Sequence, residues 1–249
     1  MIELNRILGA DFFIFYNQSS SQNIEGILNH YQAEGLIQIV QWNLPGKVTF
    51  YDRIPTQEGG HYYRQVAALN DCVYRNKGVS RYVVNQDLDE FLIPRKLKTW
   101  HQLMADIPGG YGSYTFCSAV FPKYWSDALS LSHEDTRDAI EFGSKTVLKQ
   151  FRYKAFHHDQ RTKWIVRPEC IVACGIHDIW KTTANASCDN YNVMESKAKI
   201  HHYDNWKSID STKILDNRIN GYKAELLQRL KNKWQILKKF KQKNRTLIE

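Results

Sequence analysis

The chain carries the segment YVVNQDLDEFLIP at residues 82–94, in which two apolar triplets enclose a cluster of carboxylates. The first triplet, 82–84, predicts a short buried strand, and the second, 91–93, anchors the far side of an acidic turn. Side chains at i and i+2 of an extended chain point the same way, so Asp87 and Asp89 are candidates to share one divalent cation. A solvated acidic turn is the alternative, but such a turn does not require an apolar triplet on both sides.

The chemistry of these carboxylates favours a hard cation. Their oxygens suit manganese or magnesium, and either ion can in turn bind a diphosphate. The position of Asp87 and Asp89 just after a predicted strand matches the edge at which open α/β sheets bind ligands. The segment therefore predicts a metal and phosphate site.

The order of the predicted elements indicates an α/β fold. The predicted helices are 2–8, 24–34 and 62–75, and the predicted strands are 11–16, 36–42 and 82–84. This strand–helix–strand order is typical of a parallel sheet with right-handed crossovers, and we expect a mixed, mainly parallel sheet flanked by helices. After residue 100 the alternation ends and aromatic residues become frequent, with further strands predicted at 163–167 and 170–174.

The net charge of +8 is a property of the C-terminal segment. Residues 223–245 hold nine Lys or Arg and one acidic residue, and the remainder is balanced with 25 of each sign. A neutral body disfavours nucleic acid as a partner. Leu226, Leu230, Trp234 and Leu237 recur at helical spacing, which predicts an amphipathic helix packed on the domain with a solvated basic face. Binding of that face to an anionic surface is the alternative.

Cysteine usage and hydropathy exclude some classes of protein. The five cysteines lack C-x-x-C spacing, which argues against a structural zinc site. Cys170 and Cys174 lie in an apolar run where buried thiols are common, and a disulfide is left open. No apolar run reaches the roughly 18 residues of a transmembrane helix, and the first residues lack the layout of a signal peptide.

Two histidines are candidates to complete the metal site. His177 follows the apolar run 171–176, and His202 ends a short strand-like run at 199–203. Neutral imidazole is a common metal ligand. We favour His177 as the third ligand beside Asp87 and Asp89, with His202 as the second choice.

Three segments together resemble glycosyltransferase family 92. They are GADFFIFYNQSS at 9–20, YRQVAALNDCVYR at 63–75 and DLDEFLIP at 87–94, and the resemblance runs from residue 1 to about residue 205. It implies a GT-A fold, a UDP-sugar donor that is usually UDP-galactose, and manganese, with magnesium as the alternative ion. It also implies inversion at the anomeric carbon, a glycan acceptor, and a lumenal place at the Golgi or another secretory-pathway membrane, held through an anchor absent from this chain.

The resemblance also implies roles for single residues. Asp87 and Asp89 match the D-x-D that holds metal and donor diphosphate, and Gln65, Asn70 and Asp71 lie on the helix that enters this site. Relatives carry a first β-strand before the helix at which this chain opens, so we expect the fold to lack that strand.

On this basis the glycosyltransferase domain is predicted at 1–222. Its donor-binding half is about 1–100, its acceptor-facing half is about 101–222, and the basic helix is 223–249. Asp127 is the candidate for the base that deprotonates the acceptor hydroxyl, with a turn or cap residue as its other interpretation. Tyr124 and Trp125 beside it are candidates to stack on an acceptor sugar, or to pack in the core.

Three other functions compete with transfer of a hexose. A metal-dependent phosphatase also places paired aspartates after a strand, but its D-x-D-x-[TV] pattern is not met, because Phe91 stands at the fifth position. A non-catalytic fragment that binds a nucleotide sugar or a carbohydrate is the second. A nucleic-acid binder is the third and the least favoured.

Overall fold

The computed structural model describes residues 1–43, 63–127, 131–158, 160–206 and 212–245. Helices and strands are mixed along these residues. The helices are α1 (Ile2–Leu8), α2 (Gln22–Ala33), α3 (Tyr63–Arg75), α4 (Trp100–Asp106), α5 (His133–Glu141), α6 (Lys145–Leu148) and α7 (Asn220–Arg245). The strands are β1 (Phe13–Asn17), β2 (Ile37–Gln41), β3 (Val83–Val84), β4 (Glu90–Pro94), β5 (Ser113–Phe116), β6 (Ser118–Pro122), β7 (Phe151–Arg152), β8 (Lys163–Val166), β9 (Ile171–Cys174), β10 (Ile179–Thr182), β11 (Asn190–Val193), β12 (Ala198–Asp204) and β13 (Ile214–Leu215).

The N-terminal layer follows the predicted order of elements. β1 and β2 pair in parallel, with Phe13 opposite Ile37, and α2 connects them. α1 ends at Gly9, whose φ of 110° lies in the left-handed region that glycine tolerates best. Ile2 and Leu28 pack with Ile37 in a small core of their own. The predicted crossover from β1 to β2 is therefore confirmed.

The centre of the molecule is a four-stranded sheet in the order β11–β5–β8–β3. β3 and β5 both run antiparallel to β8, and β11 runs parallel to β5. A neighbouring three-stranded sheet places β12 between β4, which is antiparallel to it, and β6, which is parallel to it. Strands from the second half of the chain thus lie beside the acidic turn.

The mixed character of the predicted sheet is confirmed, but its mainly parallel direction is wrong for the described residues. Five of their strand pairings are antiparallel and three are parallel. β3 pairs with β8 rather than with β2. Hydrophobic periodicity shows which face of a strand is buried, but it does not show which strand lies alongside. The direction of strand pairing could therefore not be predicted from it.

The main hydrophobic core holds the acidic turn from beneath. Phe91, Leu92 and Ile93 are at most 4% exposed, which confirms the predicted apolar anchor. Tyr222 and Leu226 of α7 belong to the same cluster. Each fully buried side chain of this kind contributes roughly 1.5–3 kcal/mol to stability. The acidic turn is therefore joined directly to a well-stabilised part of the core.

The C-terminal helix confirms the predicted amphipathic packing. α7 begins at Asn220, with Leu226 and Leu230 toward the core and Trp234 37% exposed. Three of its basic residues pair with acids elsewhere in the fold: Lys223 with Asp135 of α5, Arg229 with Glu3 of α1, and Lys233 with Glu34, which follows α2 directly. The side chain of Leu237 lies outside the described residues. None of the helices described here is both long enough and apolar enough to cross a bilayer.

A disulfide joins Cys170 to Cys188, with their Cα atoms 5.1 Å apart. Cys170 thus forms a disulfide, a possibility that the sequence left open, whereas Cys174 is a free and buried thiol. Gly112 packs directly against the bridge, because a Cβ atom at this position would lie 2.6 Å from the Cβ of Cys170. The cysteine pattern left this pairing open, since sequence spacing does not determine connectivity.

Candidate active site

The acidic turn spans the gap between the end of β3 and the start of β4. Asn85 fixes its start by donating its side-chain amide to the Ile176 carbonyl at 2.9 Å. The backbone N–H of Glu90 closes the turn on the Asp87 carbonyl at 3.1 Å. The Asp87 and Asp89 side chains are left 39% and 42% exposed, so both carboxylates are accessible to a ligand at the sheet edge.

Asp87 lies between an amide and an ammonium group. Its Oδ1 accepts a hydrogen bond from Gln65 Nε2 at 3.1 Å, and its Oδ2 lies 3.0 Å from Lys163 Nζ. Gln65 projects from α3, and Lys163 is the first residue of β8. The structure thus brings Gln65 to the first aspartate of the D-x-D, and its contact with a sugar donor stays a prediction.

Lys163 is fully buried and bridges two carboxylates. Its Nζ is 3.4 Å from Glu90 Oε2 as well as 3.0 Å from Asp87. Glu90 Oε2 also accepts the Asp87 backbone N–H at 3.0 Å. Burial raises the pKa of Glu90, and the Lys163 ammonium opposes that rise. A buried ammonium needs such partners to offset the cost of its desolvation.

Asp89 faces a second set of partners. Its Oδ2 is 3.5 Å from Lys123 Nζ, and its Oδ1 is 3.8 Å from His202 Nε2. His202 pairs with Glu90 in the β12–β4 register, and its Nδ1 lies 3.5 Å from Glu90 Oε1. That nitrogen is buried and has no hydrogen-bond partner among the described residues. Glu90 therefore links the surroundings of both aspartates.

The oxygen and nitrogen atoms of Asp87, Asp89 and His202 suit a hard divalent cation, although these side chains are not grouped around one point in the structure. Within the described ranges, no three His, Cys, Asp or Glu side chains are already grouped as metal ligands. Asp87 and Asp89 instead meet lysine ammonium groups. Both are accessible oxygen donors, and His202 offers a nitrogen beside one of them. Such residues match the ligand chemistry of manganese or magnesium.

His177 lies close to the first aspartate. Its Nδ1 is 3.0 Å from the Thr162 carbonyl, which can only accept, so Nδ1 carries the proton and Nε2 is the lone-pair nitrogen. Burial lowers the pKa of His177, Lys163 lowers it further, and Asp87 acts in the opposite direction. His177 is thus a neutral imidazole within the electrostatic field of Asp87, whereas His202 contacts Asp89 directly.

Two other residues predicted to contact the sugar donor, Asn70 and Asp71, form hydrogen bonds to other parts of the protein. Asn70 pairs with the backbone of Cys174, donating to its carbonyl at 2.7 Å and accepting its N–H at 3.0 Å. Asp71 accepts hydrogen bonds from Tyr16 Oη at 2.6 Å and Arg75 Nε at 2.5 Å. Burial alone would raise the pKa of Asp71, but these hydrogen bonds lower it overall. Both side chains tie α3 to neighbouring strands.

Asp127 lies among aromatic residues. It forms an ion pair with Lys149 at 2.7 Å and is 46% exposed. The Trp125 ring lies 4.5 Å from that of Tyr153, and Tyr124 is 48% exposed. The described contacts of Asp127 do not include either aspartate of the D-x-D. Lys123, one residue before Tyr124, does contact Asp89. The segment that carries Tyr124, Trp125 and Asp127 is therefore adjacent to the acidic turn.

Three residues of this site were not identified from the sequence, namely Lys163, Lys123 and Glu90. Lys163 stands before the apolar run 164–166, where a lysine suggests a solvent-facing position, yet its side chain is fully buried. Lys123 and Glu90 gave no pattern of their own. The signal that could have found Lys163 is the third acid of the turn, Glu90, because a buried carboxylate needs a cationic partner.

Comparison with known proteins places these observations in one family. The chain is 27% identical over 209 residues to "Beta-1,4-galactosyltransferase galt-1" of Caenorhabditis elegans, covering 81% of this chain and 43% of that protein. It is 27% identical over 165 residues to "Galactan beta-1,4-galactosyltransferase GALS3" of Arabidopsis thaliana, covering 65% of this chain and 30% of that protein. The chain thus spans less than half the length of the curated relatives it matches. The family model for glycosyltransferase family 92 matches residues 1–247. With nearly every residue matched, the chain belongs to glycosyltransferase family 92.

Proposed function

We propose that this chain is the catalytic part of a metal-dependent, inverting glycosyltransferase that moves galactose from UDP-galactose to a glycan. Family membership and two relatives named as galactosyltransferases support the reaction class and the sugar. The observation that carries the proposal is the junction of Asp87, Glu90, His202 and Asp89 in one contact network at an exposed sheet edge. We assign the domain to the GT-A type, since a parallel β–α–β unit precedes the D-x-D.

Asp87 and Asp89 would hold manganese, with magnesium as the alternative. The ion supplies Lewis-acid assistance to the departing diphosphate when it is bound. The third ligand is a histidine, and the contact with Asp89 now favours His202 over His177. The buried His202 Nδ1 faces the Glu90 carboxylate, which would orient the ring and leave Nε2 for the ion. Gln65 fixes the Asp87 carboxylate from the opposite side.

Donor contacts beyond the ion fall to α3. Gln65 is best placed for them, because its amide already lies at Asp87. Asn70 and Asp71 are both about one and a half turns further along the helix and act by holding α3 in place, as their contacts with Cys174 and Tyr16 indicate. The UDP-sugar is thus expected between the start of α3 and the acidic turn.

The acceptor would lie on the other side of Asp89. Tyr124 and Trp125 offer ring surface to a sugar, and Asp127 follows them as the proposed general base. The Lys149 ammonium lies 2.7 Å from Asp127 Oδ1 and would hold this carboxylate in position beside the acceptor. Lys123 connects this side to the metal-binding side through Asp89.

We place the protein in the lumen of the Golgi or of another secretory-pathway compartment. The Cys170–Cys188 disulfide supports this location, since disulfides persist in oxidising compartments and are rare in the cytosol.

A second candidate is a non-catalytic fragment that binds a nucleotide sugar. It is supported by the share of the relatives that the chain covers, 43% and 30%. Activity separates the two functions, because a binding fragment would retain UDP-galactose without turning it over.

The test is UDP release from UDP-galactose with a galactan oligosaccharide as acceptor, for the chain and for the full-length gene product. We expect a requirement for manganese and a loss of at least about a hundredfold in Asp89→Asn, since metal assistance is worth several kcal/mol of barrier. Asp106→Asn makes the same chemical change at a surface ion pair with Lys197 and is the matched control. Metal-independent turnover, or a fully active and folded Asp89→Asn variant, would remove the proposal.

A further inference from the structure

A second cleft lies at the opposite end of the four-stranded sheet from Asp87. β8 runs from Lys163, which contacts Asp87, to Val166, and Arg167 follows it. An extended strand rises about 3.3 Å per residue, so Lys163 and Arg167 are about 13 Å apart along it. Arg167 lines a cleft of about 590 Å³ together with residues that precede β3 and β5. That volume is within the range of about 300–1,000 Å³ found for ligand pockets.

The lining of this cleft carries two guanidinium groups that lack a salt bridge. Arg81 and Arg167 both line it, and neither forms an ion pair with any carboxylate in the described part of the chain. Arg167 uses one N–H group in a long hydrogen bond from Nη1 to the Ser187 carbonyl at 3.4 Å, which leaves its other N–H groups for a ligand. Arg95 and Arg152, by contrast, share the buried Asp216 at 2.8 Å each. Guanidinium groups recognise carboxylate and similar anions through paired N–H donors. The cleft therefore has unused capacity for an anionic ligand.

The acid of the cleft is already engaged. Glu169 Oε1 accepts the Gly78 backbone N–H at 2.9 Å. This hydrogen bond is the main cause that lowers the pKa of Glu169, and Arg167 and Lys77 add to it. Glu169 is thus an ionised acceptor that offsets only part of the positive charge, and it can accept from a ligand hydroxyl.

Tyrosine rings form the remaining wall. Tyr82, Tyr111 and Tyr114 line the cleft, and their rings contact one another edge to face at 6.2–6.4 Å. The Arg81 guanidinium lies 5.5 Å from the centre of the Tyr82 ring. Ring faces suit the apolar C–H surface of a pyranose, and phenol groups suit its hydroxyls. A simple inorganic anion would make no contact of this kind with the tyrosine rings.

We propose that this cleft is a second saccharide-binding site, specific for an acidic sugar. The carboxylate or sulfate of the sugar pairs with Arg81 and Arg167, its ring lies against Tyr82 and Tyr111, and Glu169 accepts from a hydroxyl. A glycan carrying acidic residues would then be held at a point separate from Asp87. The inference does not require the transfer reaction, because the site involves neither donor nor metal.

The experiment measures binding of trigalacturonate to the whole chain by calorimetry, in the absence of UDP-sugar and manganese. Galactotriose is the neutral counterpart, and inorganic phosphate tests for a plain anion site. We expect trigalacturonate to bind best and to weaken as salt is raised. Arg81→Gln and Arg167→Gln should each weaken it about tenfold, whereas Arg137→Gln, at a surface position on α5, should have no effect.

The outcomes are distinct from those of the transfer assay. Arg81→Gln should release UDP at the wild-type rate, so failure of either proposal leaves the other testable. Equal binding of galactotriose, stronger binding of phosphate, or an Arg81→Gln variant with unchanged affinity would overturn the acidic-sugar site. Arg167 lies near the Cys170–Cys188 bridge, so the affinity of Arg167→Gln is interpreted only if its melting temperature equals that of the wild type. Arg81 is exposed, so the affinity of Arg81→Gln tests the proposal whatever the stability of the Arg167 variant.

Discussion

Lys163 Nζ and Asp87 Oδ2 lie 3.0 Å apart in an ion pair whose lysine side chain is fully buried while the aspartate is 39% exposed. The same ammonium contacts the buried Glu90. One cation inside the protein thus supports a carboxylate that remains open to a ligand.

Removing that cation together with its buried partner should cost less stability than the sum of the two separate removals. Lys163→Met leaves the buried Glu90 carboxylate without its cation, and breaking a buried pair in this way costs about 3–5 kcal/mol. The double variant with Glu90→Gln should cost about 1–3 kcal/mol less than the sum of the single changes, because contacting charges couple. Urea unfolding of the four proteins measures this difference.

The control for this cycle is the exposed pair of Lys197 and Asp106, at 2.7 Å. Its coupling energy should stay below about 1 kcal/mol, as for other surface ion pairs. Strictly additive effects at Lys163 and Glu90 would show that the short distances carry no coupling.

The two histidines should differ in their effect on manganese affinity. His202→Ala should weaken Mn²⁺ binding by about 10–100-fold, the scale of losses at metal-site residues, because His202 Nε2 is 3.8 Å from Asp89. His177→Ala should weaken it less. Titration of Mn²⁺ followed by electron paramagnetic resonance measures this without catalysis, with the exposed His133→Ala as control. A larger loss in His177→Ala would assign the ligand to His177.

Stability should fall as the pH drops from about 6.5 to about 3, and His201 is one cause. Burial lowers the pKa of His201 from 6.5 to about 3, with Arg95, Arg152 and Lys199 acting in the same direction and Asp216 against it. Between these values the unfolded chain binds a proton that the folded chain does not, so the free energy of unfolding decreases by up to about 1.4 kcal/mol per pH unit.

His201→Gln should flatten the pH dependence over this range. The glutamine carbonyl can accept from Arg95, whose Nη1 lies 3.3 Å from His201 Nε2. Urea midpoints taken between pH 4 and 7 provide the comparison. An unchanged slope in a folded variant would show that other groups cause the acid sensitivity.

The disulfide should contribute measurably to stability. Cys170 and Cys188 are separated by 18 residues, and a loop of this size corresponds to about 3 kcal/mol in the chain-entropy account. The double Ser variant should therefore unfold at lower urea concentration than the oxidised protein, and a reductant should shift only the wild type. Identical midpoints for oxidised wild type and the double Ser variant would contradict this.

Much of the site could be predicted because it is local. Asp87 and Asp89 follow an apolar triplet, and the triplet 91–93 behind them is buried as expected. Gln65 was placed on the correct helix and meets Asp87. Each of these inferences depends on neighbours within a few residues or on a family motif, and those signals are present in a single sequence.

The remainder depends on distant segments. Lys163 reaches Asp87 across 76 residues, and β3 pairs with β8 rather than with the strand that precedes it in sequence. Neither partner is marked by periodicity, because a lysine at the start of an apolar strand has the same local pattern whether it faces solvent or a carboxylate. The partner of Cys170 is hidden for the same reason.

The position of α7 has a consequence for synthesis of the protein. Glu3 is 3% exposed, and one of its partners is Arg229 of α7. Lys233 of the same helix bonds Glu34 across 199 residues of chain. A nascent chain emerging from the ribosome therefore holds its α1–α2 layer without these partners until α7 has been translated. We expect this layer to be the part most dependent on chaperones during translation, since contacts of such long sequence separation form late.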